Sequence, residues 1–180
     1  MNTKTVSPAR RIVLAALFLA LAFLLPMVTG HVPQVGNMLC PMHFPILLCG
    51  FVLGGPWGLA VGFVAPLLRS VLFGMPPMFP IAVSMAFELA AYGLISGLLY
   101  RRLPKNAAGV YASLAGAMVG GRMVWGAVRA LITLASPTPF GLAIFWTEAV
   151  LNAIPGILLQ LVLIPALVLS LQRARLSPVQ

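Results

Sequence analysis

Five ionisable side chains interrupt the long apolar runs of this sequence, and they are the residues best suited to bind a polar ligand. A charged group is costly to bury in an apolar environment unless it pairs with an opposite charge or faces water. Three of the five are arginines and two are glutamates, so pairing leaves one positive charge over. That surplus favours a ligand with a carboxylate or a phosphate. The five residues are Arg69, Glu88, Arg122, Arg129 and Glu148.

Helical spacing groups four of the five with other polar and aromatic residues. Arg122, Trp125 and Arg129 follow the i, i+3, i+7 pattern of a single helix face. Glu148 and Asn152 lie four residues apart on a second apolar run. The pattern predicts stripes on three helices, which together line a ligand pocket. The third stripe consists of Ser84, Glu88 and Tyr92.

The same charges also allow a structural interpretation. Arg69 with Glu88, and Arg129 with Glu148, would form ion pairs that brace neighbouring helices. Both roles stay open for Arg69 and Glu88, which nothing but their charge distinguishes. For Arg122, Trp125, Arg129, Glu148 and Asn152 we favour a binding role.

Two other kinds of chemistry are poorly supported. Cys40 and His43, with His31 nearby, are too few donors for a typical metal site, so we expect no metal. We expect His43 to cap a short helix or to close the pocket. An intramembrane enzyme is an alternative function, but both histidines are far from the glutamates in sequence and no His-x-x-x-His motif exists. We therefore expect no catalytic residue.

The composition identifies the elements that must position these residues. The chain has 180 residues, of which 61% are hydrophobic and 7% are charged, and its mean hydropathy is +1.06. Soluble domains carry about 25% charged residues. The sequence therefore predicts an all-α integral membrane protein. A disordered chain, a secreted disulfide scaffold and a cytosolic enzyme are excluded.

Prolines, glycines and polar residues divide residues 1–180 into six predicted transmembrane helices of one domain. The second has about 12 residues, fewer than the ~20 that cross a bilayer directly. The first is a retained helix rather than a signal peptide, since no small-residue cleavage site follows it. The last should bend at Pro155 and Pro165. The predicted helices are 12–28, 43–54, 57–73, 81–100, 107–135 and 140–171.

The remaining basic residues predict how the chain is oriented. All eight fall in the two tails and in the loop after the fourth helix, whereas loops 29–42, 74–80 and 136–139 contain no Lys or Arg. The positive-inside rule then places both termini in the cytoplasm and these three loops outside. The predicted pocket opens outward beneath the loops. The eight residues are Lys4, Arg10, Arg11, Arg101, Arg102, Lys105, Arg173 and Arg175.

Taken over nearly the whole chain, the pattern resembles the substrate-binding subunit (S component) of an energy-coupling factor (ECF) vitamin transporter. The resemblance rests on six helices, a lid loop after the first helix, an Ala-xxx-Ala stripe on that helix and five short motifs. The motifs are Pro-Met-His-Phe-Pro (41–45), Phe-Gly-Met-Pro-Pro (73–77), Ala-Phe-Glu-Leu-Ala (86–90), Gly-Arg-Met-Val-Trp-Gly (121–126) and Ala-Ile-Pro-Gly-Ile (153–157).

This resemblance implies a subunit of the cell membrane that captures a vitamin or related micronutrient from outside and delivers it inward. It implies a transmembrane T component and two ATPases as partners, with ATP used by those partners and no cofactor in this chain. Ala16 and Ala20 would contact the T component. The implied substrate-binding residues are Asn37, Met38, Glu88, Arg122, Trp125, Arg129, Glu148 and Asn152.

The substrate itself stays open in the sequence. Members of the family bind ligands as different as riboflavin, pantothenate and queuosine precursors. The arginine surplus favours an anion such as pantothenate, whereas the two acids would suit an amine or a heterocycle. A stand-alone facilitator is a further alternative, although the chain shows no inverted repeat. It also lacks a Gly-x-x-x-x-Gly-Lys phosphate loop, so active transport would require a separate ATPase.

Overall fold

A computed structural model of the chain describes residues 7–29, 38–134, 141–149 and 151–174. These residues form seven α-helices, and none of them lies in a β-strand. The fold class is therefore all-α, as the composition predicted. The helices are α1 (Pro8–Thr29), α2 (His43–Leu53), α3 (Gly55–Phe73), α4 (Val83–Arg102), α5 (Ala107–Thr133), α6 (Leu142–Ala149) and α7 (Ile154–Arg173).

Glycine and asparagine fix several helix ends. Gly54 separates α2 from α3 with a φ of 93°, and Gly74 ends α3 with a φ of 68°, a left-handed conformation that favours glycine. The Asn106 side chain caps α5 by accepting a hydrogen bond of 2.9 Å from the backbone N–H of Gly109. The segment Met78–Ala82 leads into α4 with a kink at Phe79, whose φ of −123° and ψ of 133° are not helical.

Within the described ranges, four segments are long and apolar enough to cross a membrane: Pro8–Val28, Gly55–Phe73, Met78–Arg102 and Leu142–Arg173. Helix α2 has 11 residues and is too short to span a bilayer of ordinary thickness. Helix α5 has 27 residues, and its two arginines make it less apolar than those four. The structure supports a helical membrane protein, and the number of six crossings stays a prediction.

The predicted last helix, 140–171, requires correction. Helix α6 ends at Ala149, a 3-10 turn covers Leu151–Ala153, and α7 begins at Ile154. Pro155 lies in the first turn of α7, where a residue without an N–H loses no helical hydrogen bond. In place of the expected bend at Pro155, the described residues show a 3-10 turn that runs directly into α7, whereas Pro165 lies within the continuous helix α7.

Helix α4 is central and packs against α2, α3 and α5. Its contact with α3 is close because glycines face each other: a Cβ on Gly58 would lie 2.5 Å from the carbonyl oxygen of Gly93. Helix α1 covers α2 and α3 with the face formed by Ala15, Phe18 and Ala22. Its other face, which includes Ala16 and Ala20, is exposed.

The polar residues separate to opposite ends of the bundle. At one end the Gln172 side chain of α7 hydrogen-bonds the Tyr100 hydroxyl of α4, and Arg101, Arg102 and Arg173 lie in the last turns of the same two helices. The start of α4, the end of α5 and the start of α7 meet at the other end. Which end faces the cytoplasm stays a prediction.

Candidate functional site

Two helices that pack closely against α5 bring the candidate residues together. Gly121 leaves room for the Tyr92 ring of α4, since a Cβ there would lie 2.2 Å from a ring carbon. Gly126 leaves room for the Phe145 ring of α6 in the same way, at 2.5 Å. Larger residues at either position would hold the helices apart.

A cavity of about 280 Å³ lies where the segment Met78–Ala82, α5, α6 and the 3-10 turn meet. Its lining includes four residues that the sequence predicted for substrate binding, Trp125, Arg129, Glu148 and Asn152, together with Ile81. Ile81 was not predicted, because a lone apolar residue near the start of a helix gives no signal of such a role.

Arg129 is the main charged group of this cavity. Its side chain is 16% exposed, and its guanidinium lies 5.9 Å from the centre of the Trp125 ring, within cation–π distance. Its Nη2 atom lies 3.8 Å from Oε2 of Glu148, whose side chain is 43% exposed. This pair is looser than a hydrogen-bonded ion pair and partly open to solvent. The cavity thus combines a positive group, a flat aromatic surface and an exposed carboxylate.

Glu88 and Arg122 do not line this cavity in the part of the chain that the structure describes. Glu88 is 2% exposed, and its Oε1 atom lies 2.8 Å from Nη1 of Arg122 and 3.4 Å from Nε2 of His43. Arg122 also donates through Nη2 to the sulfur of Cys40 at 3.8 Å. We call His43, Glu88, Arg122 and Cys40 the Glu88 cluster.

His43 makes no side-chain cap on α2, contrary to one of the two roles expected for it. Its backbone N–H bonds the Cys40 carbonyl at 3.0 Å, and its ring points to Glu88 and meets the Tyr92 ring edge-on at 5.0 Å between centroids. The described residues contain no group of three metal-binding side chains close enough to hold an ion.

Of the two ion pairs considered from the sequence, one is present and the other is not. Arg129 and Glu148 pair as described above. Arg69 does not pair with Glu88; it donates to the carbonyl oxygen of Phe23 on α1 at 2.9 Å and lies over the Phe73 ring. Arg69 therefore ties α3 to α1, away from the cavity.

Only the last part of the predicted lid loop, from Met38 onward, lies within the described residues, and it contacts α7. The carbonyl oxygens of Met38 and Leu39 would each lie 2.8 Å from a Cβ on Gly156, so this segment rests on the first turn of α7. Met38 itself is exposed and is not among the described lining residues. Asn37 lies outside the described residues.

The fold and the cavity define a class: a small helical membrane protein with a polar cavity near one end. The sequence profile of the substrate-specific component of ECF transporters matches residues 10–168. The chain belongs to this family and is a substrate-specific transporter subunit. Its family is one of transport-binding components rather than of enzymes, and implies a T component and ATPases as partners. No curated protein and no solved structure matches the chain.

Proposed function

We propose that this subunit captures a small anionic micronutrient, a vitamin or a vitamin precursor, in the cavity at Arg129. The observation that carries the proposal is the cavity itself, with Arg129 and Trp125 in its wall. The bound molecule then passes inward in a complex with a T component and two ATPases, which supply the energy.

The size of the cavity limits the substrate. Ligand pockets usually enclose about 300–1,000 Å³, and the 280 Å³ found here lies just below that range. A short-chain or single-ring compound suits this volume. A carboxylate of the size of pantothenate fits the proposal better than a large vitamin such as folate.

Each lining residue has a distinct part in the proposed binding. The planar guanidinium of Arg129 can donate two parallel hydrogen bonds to a carboxylate. Trp125 supplies an apolar surface against the body of the ligand, and the Asn152 amide can donate to or accept from a hydroxyl or an amide. The Glu148 carboxylate pairs with Arg129, and the incoming anion displaces it from that contact.

The orientation and the partner surface belong to the same proposal. The basic residues at the Tyr100 end of the bundle favour a cytoplasmic position for that end in the cell membrane, with the cavity facing outward. The exposed positions of Ala16 and Ala20 on α1 support their proposed role as a contact for the T component.

A thermal-shift experiment on the purified chain in detergent tests the binding. The panel contains pantothenate, biotin, nicotinate, thiamine and riboflavin, each against the parent chain, Arg129→Gln and the control Arg69→Gln. A ligand at 100 times its Kd stabilises the folded state by about 2.7 kcal/mol. We expect an acid to raise the melting temperature of the parent and of Arg69→Gln, and to have no effect on Arg129→Gln.

Two results would contradict the proposal. One is a stabilising acid whose effect survives in Arg129→Gln, because the anion would then bind elsewhere. The other is a panel in which only the cationic thiamine stabilises the chain.

A further inference from the structure

We propose that Glu88 is a positioning residue that fixes the cavity wall on α5 to the chain segment 38–42 ahead of α2. The Glu88 cluster joins α2, α4 and α5 through one carboxylate. The inference rests on the proposed function only in that the wall so positioned is the one that binds substrate.

The geometry of the carboxylate is the first support. A single oxygen of Glu88, on α4, serves both Arg122 on α5 and His43 at the start of α2, at 2.8 and 3.4 Å. The side chains of Arg122 and His43 are mostly buried, and the Glu88 side chain is almost completely buried. With few competing water molecules, such a carboxylate holds its partners in one arrangement.

The same cluster also holds the segment before α2. Arg122 reaches the Cys40 sulfur through its second terminal nitrogen, at 3.8 Å. Cys40 has a φ of 49°, a conformation that a residue with a side chain rarely adopts, and its carbonyl receives the His43 N–H. The backbone of this turn is therefore held from Arg122 on one side and from His43 on the other.

Helix α5 connects Arg122 of the Glu88 cluster to the residues that line the cavity. Trp125 lies one turn beyond Arg122 on the same face, and Arg129 lies one turn further. A rigid helix converts a shift of Arg122 into a shift of both residues. Glu88 thus influences the cavity without being one of its described lining residues.

The energetics of buried ion pairs supply a specific test. Removing one partner leaves an unpaired buried charge and is disruptive, whereas replacing both partners by neutral groups is often tolerated. If Glu88 and Arg122 only position each other, the double variant Glu88→Gln/Arg122→Gln differs less from the parent than Glu88→Gln alone does. The comparison is made by fluorescence quenching and by hydrogen exchange. If either charge is needed apart from its partner, the double variant is as perturbed as Glu88→Gln.

Trp125 reports on the cavity without any ligand. The chain has three tryptophans, so the background Trp57→Phe/Trp146→Phe leaves Trp125 alone. The measurement is quenching of its fluorescence by acrylamide, a neutral probe. We expect Glu88→Gln to raise the quenching constant about twofold, because an unpaired buried charge draws water towards the cluster. In the double variant the constant returns close to that of the background.

Hydrogen exchange reports on the segment before α2, which the Glu88 cluster is proposed to hold. In the same variants, peptides that cover 38–47 are followed by mass spectrometry, since they include the His43 amide bonded to Cys40. We expect faster exchange in Glu88→Gln and recovery in the double variant. The control, Glu148→Gln, removes the other acid of the chain and should leave exchange in 38–47 unchanged.

Three results would overturn the inference. The first is a double variant whose quenching and exchange are as perturbed as those of Glu88→Gln. The second is a Trp125 quenching constant that Glu88→Gln does not change, and the third is a change in that constant without faster exchange in 38–47. If Glu88→Gln fails to fold, the double variant must still fold with quenching near the background value, and its failure to do so also overturns the inference. Because neither measurement uses a substrate, a negative result here leaves the proposed binding intact. Conversely, the absence of a ligand in the panel leaves this result unaffected.

Discussion

The variant Glu148→Gln should bind a carboxylate ligand more tightly than the parent chain does. The Glu148 carboxylate lies 3.8 Å from the Arg129 guanidinium, and under the proposed function a substrate anion competes with it for that guanidinium. Glutamine keeps the size of the side chain and removes the charge. The incoming anion then no longer has to displace an ionic competitor.

The distance and the exposure of the pair set the magnitude. At a separation of 3.8 Å, two unit charges attract each other by about 1 kcal/mol in water and by about 4 kcal/mol at an effective dielectric constant of 20. Glu148 is 43% exposed, and exposed ion pairs contribute no more than about 1 kcal/mol. The attraction between Arg129 and Glu148 is therefore about 1 kcal/mol. A gain of about 1 kcal/mol lowers the Kd about fivefold.

Isothermal titration calorimetry measures this change directly. The ligand is the carboxylate compound of the panel that stabilises the parent chain most. Thr147→Val is the matched control, because Thr147 is the neighbouring exposed residue of α6 and its hydroxyl bonds only the α6 backbone in the described structure. The parent and the control should share one Kd, and the advantage of Glu148→Gln should shrink at high salt.

A rise in Kd for Glu148→Gln would refute this reasoning. It would mean that the carboxylate contacts the ligand, as it would contact an amine or a heterocycle, and that Arg129 and Glu148 bind opposite ends of the same molecule. An unchanged Kd, with Arg129→Gln also without effect, would mean that the pair lies outside the binding site.

Three further predictions concern the rest of the bundle. Ala16→Trp or Ala20→Trp should abolish uptake in cells while the isolated chain keeps its ligand affinity, and normal uptake would contradict the proposed contact with the T component. Gly58→Ala should lower the melting temperature by several degrees, because the new methyl group meets the Gly93 carbonyl; an unchanged melting temperature would mean that α3 and α4 separate at no cost. Tyr100→Phe should destabilise the chain by about 1 kcal/mol through loss of one hydrogen bond, seen as a small shift in melting temperature with unchanged ligand affinity.

Local patterns in the sequence predicted the parts of the site that depend on local geometry. The spacing of Arg122, Trp125 and Arg129 fixes a common face on any α-helix, so their inward direction on α5 followed from the sequence alone. Glu148 and Asn152 were grouped by the same rule, and both reach the cavity. They do so from different elements, since Glu148 lies on α6 and Asn152 lies on the 3-10 turn.

The partners of the charged residues depend on tertiary packing, which the sequence does not specify. Glu88 has arginines on both neighbouring helices, Arg69 on α3 and Arg122 on α5. Gly121 brings α5 close to α4, so the Arg122 guanidinium reaches the carboxylate. The Arg69 side chain turns instead to a carbonyl of α1. Nothing in the spacing of these residues distinguishes the two outcomes.

The two acids of the chain therefore differ in what their ion pairs can do. An acid that is displaced by a substrate has to be released into water, because an unpaired carboxylate is not tolerated in an apolar interior. Glu148 satisfies this condition, since it is partly exposed and its contact with Arg129 is long. Glu88 does not, since it is buried and closely paired. Exposure thus favours Glu148 as the exchangeable partner of a transported anion, and burial favours Glu88 as the fixed point from which the cavity wall is positioned.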